Sequence, residues 1–315
     1  MLKCSTVVEV VGYLKSYTYY REFLDKVNDR DIHRGQVEQV LHEQLFASFL
    51  SLCRYHTGDS PVVGFLLRQS EISEVMKYLT LLNAGRPRDY LFSMPLYFIE
   101  HTDIDLERMS KAGSYSEFLG SFHKHAYRDI LERFNPDQNG KYDLTEIEEA
   151  LELFSYKELY DAIGKIKDKA ARLELCELFD IIIDYNNYSR IVRLKKFYSM
   201  SNNRIRTHLL PYGSLKGRKL DELMTHESFP ELIDALDTTK VGKKIRTKRI
   251  DITNRVSSRL RFELCRHNLY FSQNADVVLL SYYIVSDAEL SNVITVIEGV
   301  RYGLATNEIK ELLIR

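Results

Sequence analysis

One amphipathic helix near the C-terminus has two weaker copies upstream, and this recurrence limits the folds open to the chain more than any other feature. Leu290, Val293, Ile294, Ile297 and Val300 fall at three- and four-residue steps, the apolar stripe of a helix. Ser286 and Glu289 have the spacing of a capping box and are expected to start that helix, with Gly303 placed to end it. Two earlier segments, Glu71-Ile-Ser-Glu-Val-Met-Lys-Tyr-Leu79 and Asn187-Tyr-Ser-Arg-Ile-Val-Arg-Leu194, can be laid residue for residue on Glu289-Leu-Ser-Asn-Val-Ile-Thr-Val296. The pattern is that of one helical unit used three times.

A second register agrees with the first. Thr6-Val-Val-Glu9, Ser114-Tyr-Ser-Glu117 and Ser228-Phe-Pro-Glu231 each place a hydroxyl three residues before a glutamate and two apolar residues after it. A glutamate that recurs three times invites a catalytic reading. Hydroxyl-x-x-Glu is also how a helix satisfies its first free amides, so these are read as helix starts. Three repeats are therefore expected, at about 1–95, 96–213 and 214–315, each long enough for its own core. The fold class expected is all-α, because sustained period-two alternation is absent.

Within repeat 1, Val37, Leu41, Leu45, Phe49 and Leu52 form one helical stripe, and Ile72, Val75, Met76, Leu79 and Leu82 another. In repeat 2, Thr145 and Glu148 are expected to cap a helix through Leu151, Phe154 and Leu159. A strongly apolar helix follows at Leu173–Ile183, and Pro211-Tyr-Gly213 forces a turn before repeat 3.

Composition excludes several classes of function. A formal net charge of −1 and a pI near 6.8 supply no global field for nucleic acid. Cys4, Cys53, Cys176 and Cys265 lie far apart with no Cys-x-x-Cys, which points to reduced thiols rather than a disulfide framework or a zinc site. The longest plain apolar run, Val277–Val285, is broken by Ser281 and falls short of a membrane span, and Met1 opens no signal peptide. A cytoplasmic protein is expected, reaching a membrane only through another protein. Phosphate loops, nucleophile elbows and dinucleotide fingerprints are absent. His123 and His125 would point to different sides of a helix and cannot share a metal. No catalytic residue and no cofactor is expected.

Two motifs carry possible chemistry. With Gly140 at the sixth position, Asn135, Asp137, Asn139, Asp143 and Glu146 fall where an EF-hand loop places its oxygen ligands. Asn135 replaces the usual first aspartate, Tyr142 stands where a small aliphatic residue pairs with a sister loop, and no sister loop exists. A plain Asn/Asp/Gly connection between helices accounts for the same residues. The second motif is the basic run Lys240, Lys243, Lys244, Arg246, Lys248 and Arg249, with no acidic residue until Asp251. It reads either as a solvated segment between helices or as a contact face for an acidic partner or lipid headgroups.

The late motif also carries a resemblance. Glu289-x-x-Asn292, Gly299, Gly303-Leu304 and Ile309-x-x-Leu312, the bend Pro211-x-Gly213-x-Leu215 and the triplicated unit together resemble the C subunit of archaeal and bacterial V-type ATPases, equivalent to the d subunit of the vacuolar pump. The chain departs from that family at Ile294, often basic there, and at Val300, often lysine. The family also commonly carries an extra helix before the first repeat, which would leave repeat 1 incomplete here. The resemblance implies three helical lobes about a pseudo-threefold axis, forming a funnel-like, non-catalytic rotor subunit. It would be present once per complex, monomeric when isolated, and would join the central stalk to the membrane rotor ring for ATP-linked proton or sodium transport. Two other classes fit parts of the sequence: a helical-repeat scaffold unrelated to rotary pumps, and a calcium-responsive regulator working through residues 135–146.

Overall fold

A computed structural model describes residues 1–25, 34–56, 59–123, 125–226, 231, 234, 235, 238, 243 and 256–314. Among them every element is helical, and the only extended pairing is an isolated antiparallel bridge between Ile104 and Phe122. The all-α expectation holds. The chain divides into two compact units, one formed by Met1–Thr57 with Asp168–Arg315 and the other by Gly58–Lys167.

In the 58–167 unit, helix α4 (Pro61–Asn83) packs against α8 (Leu144–Gly164). Ser60 caps α4, its hydroxyl accepting from the Val63 amide at 3.2 Å, and Pro61 sits at the first turn where its missing N–H has no partner to lose. Phe65 meets Tyr156 at 5.2 Å between ring centroids, and Gln69 Nε2 donates to Ser155 Oγ at 3.0 Å. The short helices α5 (Leu106–Lys111), α6 (Tyr115–Leu119) and α7 (His125–Leu131) stand between these two long ones in sequence. Tyr78 stacks on Phe118 at 4.7 Å and sends its hydroxyl hydrogen to the Ala112 carbonyl, so a buried polar tip is satisfied inside an aromatic cluster.

The other unit contains two cores. The first joins the chain ends: α1 (Val7–Tyr17), α2 (Arg21–Leu24) and α3 (Arg34–Cys53) pack on α13 (Ala275–Arg301) and α14 (Thr306–Leu312). Val10, Val11, Leu14, Leu41, Val293 and Ile297 are buried there. The second gathers α9 (Lys169–Tyr198), α10 (Asn202–Thr207), α11 (Arg218–Met224) and Leu260 of α12 (Val256–Phe271) around Tyr188, Ile191, Ile205 and Met224. Helices α12 and α13 are packed neighbours joined by a three-residue turn, and Cys265 is buried on α12, where burial pushes its thiol up to about 11.

The C-terminal helix differs from expectation at its start. It does not begin at Ser286: Ser286 lies inside α13, which starts eleven residues earlier behind Asn274, whose side chain accepts from the Asp276 amide. Val277, Leu280 and Ile284 extend the apolar stripe upstream, and no glycine or proline interrupts it, so a second capping sequence inside a helix has nothing to cap. Likewise α8 is capped by Asp143, which accepts from the Thr145 and Glu146 amides, rather than by Thr145. Helix α13 is also long and apolar enough to cross a membrane by length and composition, although Ser281 and Ser286 interrupt its apolar run. Its apolar residues are instead buried against α3 and α12.

Candidate functional site

Two of the three early glutamates cap helices in the same way. Thr6 Oγ1 accepts from the Glu9 amide at 3.2 Å while Glu9 Oε2 accepts from the Ser5 amide at 2.7 Å. Ser114 Oγ accepts from the Glu117 amide at 3.3 Å while Glu117 Oε2 accepts from the Gly113 amide at 2.7 Å. Both carboxylates spend their oxygens on backbone donors at exposed helix starts. Glu231 is described and exposed, whereas Ser228 lies outside the described residues. Glu289 is exposed in mid-helix and accepts from the Tyr19 hydroxyl at 3.3 Å.

The loop at 135–146 uses its oxygens internally. Asp137 Oδ1 accepts from the Asn139 and Lys141 amides, both at 2.8 Å, and the Asp137 amide donates to the Lys141 carbonyl at 2.7 Å. Those amides hold the Asp137 carboxyl below the usual carboxylate range. Gly140 takes φ +73°, and Asp143 caps α8. The same residues that spell an EF-hand in sequence therefore build a turn and a helix start. Among the described residues, no group of three or more His, Cys, Asp or Glu is placed to hold a metal ion. Titration calorimetry with calcium is expected to give no saturable heat at micromolar concentrations. A one-to-one heat that vanished in Glu146→Gln would restore the calcium reading.

What repeats along the chain is a mechanical device. Helices α4, α9 and α13 each run out into a left-handed residue: Gly85 at φ +71°, Ser199 at φ +46° and Gly303 at φ +68°. The Arg86 amide then reaches back to the Leu81 carbonyl and the Leu304 amide to the Gly299 carbonyl, both at 2.9 Å. Each helix also carries a polar side chain that grips the returning chain. Asn187, fully buried, donates to the Leu210 carbonyl and accepts from the Leu210 amide, each at 2.9 Å. Asn292 makes the same two-way bond to Ile314, at 2.8 and 2.7 Å. Glu71 accepts from the Thr102 hydroxyl at 2.8 Å and the Asp103 amide at 3.1 Å. Glu71 and Asn187 hold the same place in the repeat, and Asn292 comes one residue-triplet after it.

The α9 grip has a second hold on the Pro211–Leu215 bend. Asp184, 2% exposed, accepts from the Ser214 amide at 2.7 Å, the Leu215 amide at 2.8 Å and the Ser214 hydroxyl. Burial holds its carboxyl above the usual range, although each of these three donors acts to lower it. Gly213 takes φ +91°, and a Cβ there would clash with Asp184 Oδ1. None of these polar contacts was expected from the sequence. The glycines were visible signals, but the partner of each lies on another element.

A groove of about 850 Å³ opens beside the chain ends, lined by Met1, Cys4, Gly12, Tyr13, Asn292 and Leu313 among others. The basic run falls mostly outside the described residues: Lys240, Lys244, Arg246, Lys248 and Arg249 do, and Lys243 is described and exposed.

Comparison with known proteins places these features in a family. The family model described as ATP synthase (C/AC39) subunit matches residues 1–312. The chain is similar to the C subunit of the A-type ATP synthase of Methanosarcina mazei, 25% identical over 304 residues that cover 94% of this chain and 81% of that protein. The protein of the same name from Desulfurococcus sp. is 27% identical over 306 residues, covering 94% of this chain and 79% of that protein. That of Methanosphaera stadtmanae is 24% identical over 244 residues, which cover 77% of this chain but only 60% of that relative's length.

Proposed function

Because the chain belongs to the ATP synthase (C/AC39) subunit family, we propose that it is the non-catalytic rotor part joining the central stalk to the membrane ring of an ATP-driven or ATP-making ion pump. The observation that carries this reading is the family match along 1–312. A part that transmits torque needs stiffness and two contact surfaces. The two-way bonds of buried Asn187 and half-buried Asn292 and the closed helix ends supply rigidity where chains turn back. In this proposal the sequence repeats 1–95, 96–213 and 214–315 are three lobes around a pseudo-threefold axis. They are units of sequence, a level of organisation distinct from the packing units. The protein would sit on the cytoplasmic side, once per complex, with the run at 240–249 as a further contact surface on the third lobe.

Affinity purification of the tagged chain from native membranes is expected to bring down stalk and ring subunits together. In complexes lacking the chain, ATP hydrolysis by the detached head should persist while ion transport disappears. Loss of hydrolysis with the chain, or its isolation without either set of partners, would overturn the assignment.

A further inference from the structure

The second core of the larger unit carries a surface rich in cations, with Asp221 and Glu222 of α11 as its paired acids. From residue 185 to 220 the chain has nine lysines and arginines and no aspartate or glutamate, in a protein whose formal net charge is only −1. These residues lie on the end of α9, on α10, on α11 and on the turns between them, all built around Tyr188, Ile191, Ile205 and Met224. Four of the cations serve the fold. Arg190 donates to the His208 carbonyl and Lys195 to the Met224 carbonyl, while Arg206 pairs with Asp221 and Arg218 with Glu222. The other five, Arg193, Lys196, Arg204, Lys216 and Lys219, are exposed.

Aromatic rings stand among them. Phe197 and Tyr198 end α9 with 67% of each exposed, a large area of ring left in water. Lys196 Nζ lies 5.1 Å from the Phe197 ring centre. Arg193, Lys196 and Phe197 are spaced three and four apart, so they share one face of α9. Exposed rings flanked by lysine and arginine are what side chains present at a bilayer interface. There the ring settles at headgroup level and the cation meets phosphate. A polar acidic protein surface would satisfy the cations and leave the two rings in water.

We propose that the face formed by the α9 end, α10 and α11 binds the anionic headgroup surface of a membrane, with Phe197 and Tyr198 as interfacial anchors. This adds a direct lipid contact to a subunit expected to meet the membrane only through protein. It does not depend on the rotor assignment.

The test is co-sedimentation of the full chain with vesicles of phosphatidylcholine, with and without phosphatidylglycerol. Binding is expected only with phosphatidylglycerol and should weaken as salt rises, since the attraction acts within a Debye length. Arg193→Gln, Lys196→Gln and Arg204→Gln together should weaken it by about 100-fold, taking the usual contribution of each cation near an anionic surface. Unfolding of that variant at the wild-type temperature would show the loss to be one of contact. Phe197→Ser with Tyr198→Ser should remove the part of the binding that survives salt. Absence of binding to phosphatidylglycerol vesicles at low salt would overturn the proposal. So would equal binding by the folded triple variant. Capture by soluble polyglutamate but not by vesicles would assign the surface to an acidic polypeptide instead. The vesicle result uses the isolated chain, so its failure would leave the coupling role untouched.

Discussion

Gly213→Ala is expected to destabilise the protein by about 3–5 kcal/mol, among the largest effects a single methyl group can have on this chain. Two costs add. At φ +91° the backbone stands in the left-handed region, where a Cβ costs about 1–2 kcal/mol. The new Cβ would also clash with Asp184 Oδ1. Asp184 cannot swing aside freely, because that same oxygen holds the Ser214 and Leu215 amides. Moving it would strand the buried Leu215 amide, at about 1–3 kcal/mol, and free the part-buried Ser214 amide. Gly140→Ala separates the two costs. Its φ is +73° with nothing within 4 Å of the added Cβ, so only the backbone term of about 1 kcal/mol should appear. Gly12→Ala, in the body of α1 with open space around it, should stabilise by about 0.5–1 kcal/mol. Chemical denaturation of the three variants checks the order. Equal losses for Gly213→Ala and Gly140→Ala would mean that the Asp184 contact is irrelevant.

The contrast shows which features could be read without the structure. Thr6 with Glu9 and Ser114 with Glu117 were legible because a capping box closes within one turn, so spacing and geometry are nearly the same thing. The left-handed helix end at Gly303 was legible for the same reason. Ser286 with Glu289 has identical spacing and caps nothing, since the choice is made by the apolar residues upstream, which keep α13 helical back to Ala275. Local pattern proposes a start, and packing decides whether the helix has already begun.

The grips were not legible. Asn187 and Leu210, or Asp184 and Leu215, are brought together by the path of the chain between them, and a lone asparagine on a helix has many other uses. The EF-hand pattern at 135–146 is ambiguous for a related reason. Oxygen-rich side chains at loop spacing can face a common centre or their own backbone, and Asp137 and Asp143 do the latter. The acid-free stretch at 185–220 is a different case. It can be counted directly, but its cations are spread through helix and turn rather than bunched as they are at 240–249.

Glu71→Ala is expected to cost about 3–5 kcal/mol in the 58–167 unit, and Glu71→Gln about 1 kcal/mol. Glu71 is 5% exposed, and three donors from two directions end on its carboxylate. The Thr102 hydroxyl and the Asp103 amide reach Oε1, and the Tyr127 hydroxyl donates to Oε2 at 2.7 Å. Burial and the neighbouring carboxylate together raise the Tyr127 phenol, which keeps it a donor at every working pH. Alanine would leave all three donors facing a cavity. The Asp103 amide suffers most, because backbone on the approach to α5 cannot rotate away as a hydroxyl can. Glutamine keeps one carbonyl oxygen for Thr102 and Asp103, and its NH₂ can donate to the Tyr127 oxygen, reversing that bond without emptying the site. Arg68, whose charge is disfavoured by burial and favoured by the carboxylates of Glu158 and Glu71, would lose part of that support in both variants. Hydrogen exchange of the α4 amides reads the local cost without requiring the two units to unfold together. Alanine should speed exchange along α4 far more than glutamine. If the two variants exchanged alike, the carboxylate's charge toward Arg68, and not its place as an acceptor, would be what holds the returning chain.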